Sequence, residues 1–266
     1  NASAIGDVTT NGQRVGGLVG YLDAHSNEEV RTVRATGNVS AGSYYVGGLI
    51  GFIDQSGTNA QYHEVTMSDA HATGDVSTTY DAGGNAQVGG LVGRFHESRD
   101  LTNVSATGDV TSATGNYVGG LIGRLQMENG NQIVSNAFAT GAVTSTGDRV
   151  GGLMGDSNGI ITDSYAHGAV STTGQRVGGL VGSHQDGPIR NVTATGDVST
   201  TGRKVGGLVG YTQTSVTNAS ASGEVTTDGQ EVGGLVGELD AHSDEEVRAV
   251  KATGNVSAGS YYVGGL

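Results

Sequence analysis

The sequence predicts an all-β fold, a parallel β-solenoid (β-helix) of about nine coils with variable loops on one edge. Two motifs and the composition predict it. The tetrapeptide Val-Gly-Gly-Leu occurs nine times, and Ala-x-Gly-x-Val precedes every copy. The 266 residues include 49 Gly but one Pro, no Trp and no Cys, and 35% are hydrophobic. Such a chain lacks the large apolar side chains of a wide interior, which disfavours an enzyme with a deep pocket.

Each repeat unit reads as two or three short strands separated by turns. Residues 103–107, Asn-Val-Ser-Ala-Thr, alternate polar and apolar side chains, and the alternation continues through Gly-Asp-Val at 108–110. Turns such as Thr-Gly at 173–174 end the strand pattern. A unit of this kind cannot bury its own apolar face, so successive units are expected to stack at a strand spacing of about 4.8 Å.

The spacing of the motifs predicts where the loops lie. Successive Val-Gly-Gly-Leu copies begin 27 to 42 residues apart, so a minimal unit carries insertions of variable length. The most variable segments follow Gly-Leu-x-Gly and include 52–64, 94–100 and 124–132. Insertions at one point of the unit place these loops on one edge of the solenoid, where binding residues are often found.

A longer repeat predicts one continuous domain over residues 1–266. Residues 1–49 align without gaps on residues 218–266, with 41 of 49 positions identical. The first super-repeat therefore covers residues 1–217, and a second copy begins at 218 and is truncated at 266. We expect the chain to be a window on a longer tandem array.

One column of stacked residues is rich in amides. The position three residues before the motif Ala carries Asn or Asp in most units and is predicted to form an internal structural ladder of coil-to-coil hydrogen bonds. The Ala and Val columns of the motif fit the same narrow interior. The predicted ladder consists of Asn1, Asp69, Asn103, Asn136, Asp163, Asn191 and Asn218, and is interrupted by Thr32 and Ala249.

The apolar residues of Val-Gly-Gly-Leu-Val do not fit one flat strand, because adjacent residues of a strand point to opposite faces. Two interpretations stay open. In the favoured one, the Gly-Gly pair makes a corner that turns Val and Leu inward. In the other, the leucines form an outer packing ridge that drives lateral association. The leucines concerned are Leu18, Leu49, Leu91, Leu121, Leu153, Leu180, Leu208 and Leu235.

Residues 15–20, Val-Gly-Gly-Leu-Val-Gly, and their copies resemble the GLUG motif of large bacterial cell-surface, adhesin-like proteins. The resemblance covers the whole chain. It implies an extracellular or cell-surface repeat scaffold without activity of its own. Some relatives are the non-catalytic regions of immunoglobulin-A-cleaving peptidases, but this chain has no His-Glu-x-x-His motif, so no peptidase chemistry transfers.

Charge and chemistry exclude several partners. The net charge of −13 disfavours nucleic acid, and no apolar run is long enough for insertion into a membrane within this segment. A metal site is conceivable where His25 lies near Asp23, Glu28 and Glu29, but a solvated loop is the favoured interpretation. Calcium bound by stacked Asp side chains is a minor alternative, because this sequence lacks the Gly-Gly-x-Gly-x-Asp repeat of calcium-binding solenoids. No cofactor, metal or catalytic residue is therefore assigned.

Two surface columns bear on further roles, glycosylation and ice binding. Six Asn-x-Ser/Thr sequons occur, and the favoured interpretation is ordinary Asn beside a β-favouring Ser. If the producing cell glycosylates sequons, Asn38 and Asn255, which follow the motif Gly in an outward column, are the better acceptors. The other four sequons belong to the amide ladder and are expected to be shielded. A regular Thr column that includes Thr36 and Thr107 invites comparison with ice-binding solenoids. The neighbouring column is too irregular for a flat array, since it contains Arg34.

The predicted function is that of an extracellular structural repeat region, a stalk or fibre segment of a very long surface protein or filament, with no catalysis. One alternative is an adhesive module that binds a surface glycan or protein through the loop edge. A second is a filament subunit that stacks coil to coil. The expected partners are further copies of the same repeat, in the same or another chain, and a surface glycan or protein ligand.

Overall fold

The computed structural model describes residues 1–24, 27–42, 44–55, 65–80, 85–127, 132–240 and 245–265. Within these ranges the protein is a parallel β-solenoid without a helix, which confirms the predicted fold class. The chain makes about eight turns, one fewer than the expected nine coils. The difference arises because no further strand follows the ninth Val-Gly motif among the described residues.

Each turn contributes one short strand to each of four parallel stacks, numbered here in the order in which the chain visits them. Strands of the first stack end at the motif Ala: Ala2–Ala4, Glu28–Ala35, Val65–Ala72, Val92–Ala106, Ile133–Ala139, Ile160–Ala166, Ile189–Ala194, Val216–Ala221 and Val247–Ala252. Strands of the second stack begin at the motif Val: Val8–Thr10, Val39–Ala41, Val76–Thr78, Val110–Ser112, Val143–Thr144, Val170–Ser171, Val198–Thr200, Val225–Thr227 and Val256–Ala258.

The other two stacks come from the Val-Gly-Gly-Leu segment. Strands of the third stack contain its Val-Gly: Val15–Gly16, Tyr45–Gly47, Gln87–Gly89, Tyr117–Gly119, Val150–Gly151, Val177–Gly178, Val205–Gly206, Val232–Gly233 and Val263–Gly264. Strands of the fourth stack follow its Leu: Val19–Ala24, Ile50–Gln55, Val92–Ala106, Ile122–Met127, Met154–Ser157, Val181–His184, Val209–Thr212 and Val236–Leu239. The strand Val92–Ala106 runs from the fourth stack into the first and joins them into one sheet of 16 strands.

The register of every stack follows the motifs. In the second stack, Val76 pairs with Val39 on one side and with Val110 on the other. In the third stack, Gly119 pairs with Gly89 and Gly151. Equivalent residues of successive repeats therefore lie directly above one another, and each sequence column becomes a physical column along the solenoid axis.

The stacks form two layers around a thin core. Buried and exposed residues alternate without a break from the first stack, through the motif glycine Gly196, into the second stack. Val192, Ala194 and Val198 are buried, while Thr195 and Asp197 are exposed. The first and second stacks therefore make one layer with a common inward face. That face packs against the fourth stack through leucine, isoleucine and alanine side chains, and against the third stack through valines.

The leucine column lies inside the protein, so the alternative of an outer packing ridge is wrong. Leu49, Leu91, Leu121, Leu153, Leu180, Leu208 and Leu235 are at most 1% exposed, and Leu18 is partly buried against the same core. Leu121 lies at the corner just before the strand Ile122–Met127. Because it is not part of that strand, its side chain does not have to point to the face opposite Ile122. The corner made by the Gly-Gly pair at 119–120 thus lets the side chains of Val118, Leu121 and Ile122 all point inward.

The glycine corners bring the backbones of adjacent coils into contact. A Cβ atom added to Gly196 would lie 2.0 Å from the carbonyl oxygen of Gly168 in the preceding coil. At Gly120 it would lie 2.2 Å from the carbonyl oxygen of Gly152 and 2.9 Å from the Cβ of Ala139. No larger residue fits at either position, and alanine is the largest residue that fits opposite Gly120.

We expect Gly196→Ala to destabilise the protein by about 3 kcal/mol, because the new methyl group forces two coils apart. Ser199→Ala is the matched control, since it changes an exposed hydroxyl of the same coil. Urea unfolding followed by circular dichroism measures both free energies. Equal stability of the two variants would contradict the close backbone contact.

Candidate functional site

The predicted amide ladder lies on the outside of the solenoid, so its internal placement is wrong. Asn103, Asn136, Asp163, Asn191 and Asn218 are exposed. Asn1 is exposed as well, and Asp69 is half-buried. The column sits within the first stack at the point where the alternation of the strands is interrupted.

Backbone conformation explains why this column is rich in Asn and Asp. The φ angles of Asp69, Asn103, Asn136, Asp163 and Asn191 lie between 50° and 56°, in the left-handed region. Asn218, at 50°, shares this conformation, and so do the two interrupting residues, Thr32 at 53° and Ala249 at 54°. Asn and Asp tolerate this region better than other residues with a Cβ, so the column reports a backbone kink repeated in successive coils.

Side-chain hydrogen bonds connect parts of this column along the axis. Asn103 Nδ2 donates to Asp69 Oδ1 at 2.5 Å, and Asn191 Nδ2 donates to Asp163 Oδ1 at 3.1 Å. Asn218 Nδ2 donates to Asn191 Oδ1 at 2.6 Å. The ladder is therefore a surface feature that links neighbouring coils beside each left-handed residue.

A second ladder runs along the corner between the first and second stacks, and the sequence interpretation missed it. The column was predicted to face outward, and Asp75 and Asp109 are indeed exposed. Their side chains also join successive coils: Asp75 Oδ1 accepts the backbone N–H of Asp109 at 2.9 Å, and Asp109 Oδ1 accepts that of Ala142 at 2.8 Å. Asp197 Oδ1 likewise accepts the backbone N–H of Glu224 at 2.8 Å. An exposed acid in one coil thus satisfies the orphan amide of the next.

The glycosylation candidates Asn38 and Asn255 are both exposed in this carboxylate column. Asn38 Oδ1 accepts the backbone N–H of Asp75 at 2.8 Å. The sequons in the amide ladder were expected to be shielded, but Asn103 and Asn191 are exposed too. Their Nδ2 atoms donate to carboxylates, which distinguishes them from Asn38. Glycosylation at Asn38 and Asn255 stays a prediction.

A third column places hydroxyl groups inside the thin core. Thr172 Oγ1 accepts the backbone N–H of Gly174 at 3.1 Å and donates to the carbonyl oxygen of Gly147 in the preceding coil at 2.9 Å. Thr200 repeats the pattern with Gly202 and Gly174. These buried hydroxyls attach each Thr-Gly turn to the turn below it. The signal was present in the sequence as Thr, Ser or Ala two residues after each motif Val.

The described residues contain no group of three or more His, Asp or Glu side chains that could hold a metal ion. The candidate centred on His25 lies outside the described residues, although Asp23, Glu28 and Glu29 of the same candidate are described. His96 instead pairs with Asp54, with Nδ1 and Oδ1 3.0 Å apart. In the same described ranges no helix has the length and hydropathy needed to cross a membrane.

One histidine is fully buried and holds a loop. His184 Nε2 lies 2.7 Å from the carbonyl oxygen of Gly187, and Nδ1 lies 2.7 Å from Ser157 Oγ of the preceding coil. The carbonyl can only accept, so Nε2 carries the proton and Ser157 donates to Nδ1. Burial lowers the pKa of His184 from 6.5 to about 4, although the Gly187 carbonyl and the Asp186 charge act in the opposite direction. Ser157 is 1% exposed, so this pair has no access to a substrate.

Two adjacent columns on the opposite layer carry aromatic and charged side chains. We call them the cation–aromatic strip; they are the residue before each of the first eight Val-Gly-Gly copies and the third residue of each fourth-stack strand. Its members are Arg14, Tyr45, Gln87, Tyr117, Arg149, Arg176, Lys204 and Glu231 in one column, and Tyr21, Phe52, Arg94, Arg124, Asp156, Ser183, Tyr211 and Glu238 in the other.

Cations lie over the faces of aromatic rings along this strip. The guanidinium carbons of Arg124 and Arg149 lie 4.8 and 5.0 Å from the ring centre of Tyr117. Both arginines also pair with Asp156, at nitrogen–oxygen distances of 3.2 and 3.8 Å. Burial raises the pKa of the Asp156 carboxyl, while the two guanidinium groups lower it. The sequence interpretation did not single out this strip, because its members alternate between cations, aromatics and acids.

Together, the four parallel stacks, the inward leucines and the glycine columns define a β-solenoid built from Gly-Leu repeats. The family model described as "The GLUG motif" matches residues 173–199 and 201–226. The resemblance seen in the sequence is thereby confirmed, and this chain carries GLUG repeats.

Among known proteins, the chain is similar to halomucin of Haloquadratum walsbyi (strain DSM 16790 / HBSQ001). The two are 58% identical over 156 residues, which make up 58% of this chain and 2% of halomucin. The match therefore concerns a small piece of a relative that is thousands of residues long. No solved structure matches the chain.

We expect Asn191→Val to lower the free energy of unfolding by about 1 to 2 kcal/mol, because a β-branched residue is strained at positive φ. Asn191→Gly should differ from the parent by only a few tenths of a kcal/mol, since glycine adopts this conformation freely. Thr193→Val, in the extended part of the same strand, is the control. If Asn191→Gly were as unstable as Asn191→Val, the amide hydrogen bond and not the backbone would explain the column.

We expect His184 to make the protein sensitive to acid. Its pKa is lower in the folded chain than in the unfolded chain, so only the unfolded chain binds the extra proton between about pH 6.5 and pH 4. The protein therefore keeps its full stability above pH 6.5 and becomes less stable as the pH falls toward about 4. The loss attributable to this one group is about 3 kcal/mol at pH 4.

The measurement is urea unfolding at pH 7 and pH 4, in the parent and in His184→Gln, whose amide can make the same two hydrogen bonds. The variant should lose less stability between the two pH values. His167→Gln, at an exposed histidine, controls for unspecific changes. Identical pH dependence in the parent and His184→Gln would contradict the buried neutral histidine.

Proposed function

We propose that this chain is a structural repeat region of a very long extracellular surface protein, where it forms part of a stalk or fibre and performs no catalysis. The observation that carries the proposal is the unbroken stacking of equivalent residues along the axis. A solenoid of this kind gains length with every repeat and needs no closed core, so it suits a spacer.

The comparisons support this function. The piece of halomucin that resembles this chain is 2% of that protein, so a segment of this kind can form a small part of a very long chain. The near-identity of residues 1–49 and 218–266 supports a tandem array of 217-residue blocks. Each block of seven coils would add about 34 Å to the length at the strand spacing of about 4.8 Å.

The surface supports a non-catalytic role. The buried Ser157 and His184 pair has no access to solvent. The exposed Asp75, Asp109 and Asp197 are used as acceptors for backbone amides between coils, which is a structural task. The polar columns described above thus serve to hold one coil on the next.

The test compares soluble proteins that contain one, two and four copies of residues 1–217 in tandem. We expect rods whose maximum dimension in small-angle X-ray scattering grows by about 34 Å per added block, at constant cross-section. The dimension should not depend on protein concentration. Growth of a single block into long filaments with concentration would instead favour the self-assembling subunit, and a compact particle at four blocks would contradict the stalk.

A further inference from the structure

The cation–aromatic strip concentrates positive charge on an acidic protein. It holds six of the 13 Lys and Arg residues, namely Arg14, Arg94, Arg124, Arg149, Arg176 and Lys204. Three carboxylates lie in the same two columns, Asp156, Glu231 and Glu238, which leaves the columns at +3 in a chain of net charge −13. Asp54 and Asp240 lie beside them and accept hydrogen bonds from Tyr21 and Tyr211, which reduces the local excess to +1. Such a segregated strip would attract an anionic partner locally, although the rest of the surface repels it.

The aromatic rings hold the cations in place. Arg14 lies 4.2 Å above the ring centre of Tyr21, and Arg176 lies 5.1 Å from that of Tyr211. No ion pair joins Arg14 or Arg176 to a carboxylate among the described residues. The ring contacts fix each guanidinium group and leave N–H groups at its edge for a partner. A fixed guanidinium loses less conformational entropy on binding than a free one.

The positive groups remain accessible to solvent. The side chains of Arg124 and Arg149 are 30% and 28% exposed, although both contact Asp156. Arg94 carries a buried Nε atom without a hydrogen-bond partner, while its other nitrogens contact Tyr45 and Gln126. The strip is therefore a half-buried, ordered surface and not a set of free side chains.

The strip repeats once per coil, every 4.8 Å or so along the axis. This repeat is close to the length of one pyranose residue in an extended polysaccharide. A linear polymer that lies along the axis would thus advance by about one sugar unit per coil and pass the strip's cations in turn.

We propose that the cation–aromatic strip binds a linear polysaccharide that carries carboxylate groups, of the polyuronate class. The planar guanidinium groups of Arg14, Arg149 and Arg176 would pair with the sugar carboxylates, a geometry in which two parallel hydrogen bonds form. Asp156 pairs with Arg124 and Arg149, and Glu238 pairs with Lys204, so these carboxylates hold cations of the strip in position.

The interspersed acids favour a polyuronate over a nucleic acid. Asp156, Glu231 and Glu238 repel any polyanion, and the repulsion is strongest for a nucleic-acid duplex, whose charges lie about 1.7 Å apart along its axis. A polyuronate carries one carboxylate per sugar residue and is therefore repelled less. The site goes beyond the proposed stalk function, and its test measures binding and not rod length.

The experiment measures binding of an oligogalacturonate that spans several coils to the full chain by isothermal titration calorimetry at low salt. We expect binding that weakens with salt and about a tenfold higher Kd for the double variant Arg149→Gln with Arg176→Gln. The control is Arg190→Gln with Arg248→Gln, which removes the same charge from exposed positions of the first stack. The methyl-esterified oligomer, which is neutral, should bind much more weakly than the acid.

A second readout does not depend on the variants folding. In the unmodified chain, the oligomer should protect Arg14, Arg149 and Arg176 from an arginine-selective dicarbonyl reagent, but not Arg190. Absence of binding, equal losses in both double variants, or protection of Arg190 to the same extent would overturn the proposal. So would equal or tighter binding of single-stranded DNA or polyphosphate. Self-association through the strip, seen as a dimer in sedimentation that the Arg149 and Arg176 double variant abolishes, would assign it to a second copy instead.

Discussion

The contact between backbones at the glycine corners is the constraint on which the rest of the structure depends. At Gly168, Gly196 and Gly223, an added Cβ atom would lie 1.8 to 2.0 Å from the carbonyl oxygen of the adjacent coil. Coils can therefore approach to strand spacing along the whole turn, and not only where strands pair. This close approach permits a thin solenoid with two layers and small inward side chains, which is why 35% hydrophobic residues are enough to bury a core.

Polar columns provide the specificity that a thin core lacks. The carboxylate column satisfies backbone amides between coils, as Asp109 does for Ala142. The buried hydroxyl column attaches the turns, as Thr172 does for Gly147. Because each bond joins equivalent positions of successive coils, a shift of register by one residue would leave many buried or half-buried polar groups without partners.

The fold was predictable because a repeat shows each structural position nine times. A single valine such as Val118 does not indicate which way its side chain points, but a valine at the same position in all nine repeats indicates a column that faces the core. The fate of Leu121 was not decided by periodicity, since corner residues do not follow the alternation of a strand. The amide ladder was predicted in the wrong place for a related reason. Asn occurs at positions such as Asn103 and Asn191 because the backbone there is left-handed. Amides stacked in an interior would produce the same column of Asn in the sequence, so the two causes cannot be separated by sequence.

Functional features were predictable only where one residue type fills a column. The hydrogen bonds of the carboxylate ladder could not be predicted from the sequence. The acceptor is a side chain, but the donor is a backbone amide, which every residue except proline has, so no second residue type marks the bond. The cation–aromatic strip was hidden because Tyr117, Arg124 and Asp156 occupy equivalent or adjacent columns with different chemistry. Such sites become visible once the register places their side chains within 5 Å or so of one another.

The absence of cysteine allows a direct measurement of coil stacking. Pairs of spin labels can be introduced on the outward column of the second stack, at Thr111 with Thr226, at Ser40 with Thr226, and at Thr9 with Ser257. Electron–electron double resonance then measures the label separation across four, six and eight coils. We predict mean separations near 19, 29 and 38 Å, which correspond to about 4.8 Å per coil. Separations that fail to grow in proportion to the number of coils would contradict a solenoid whose coils touch along their glycine columns.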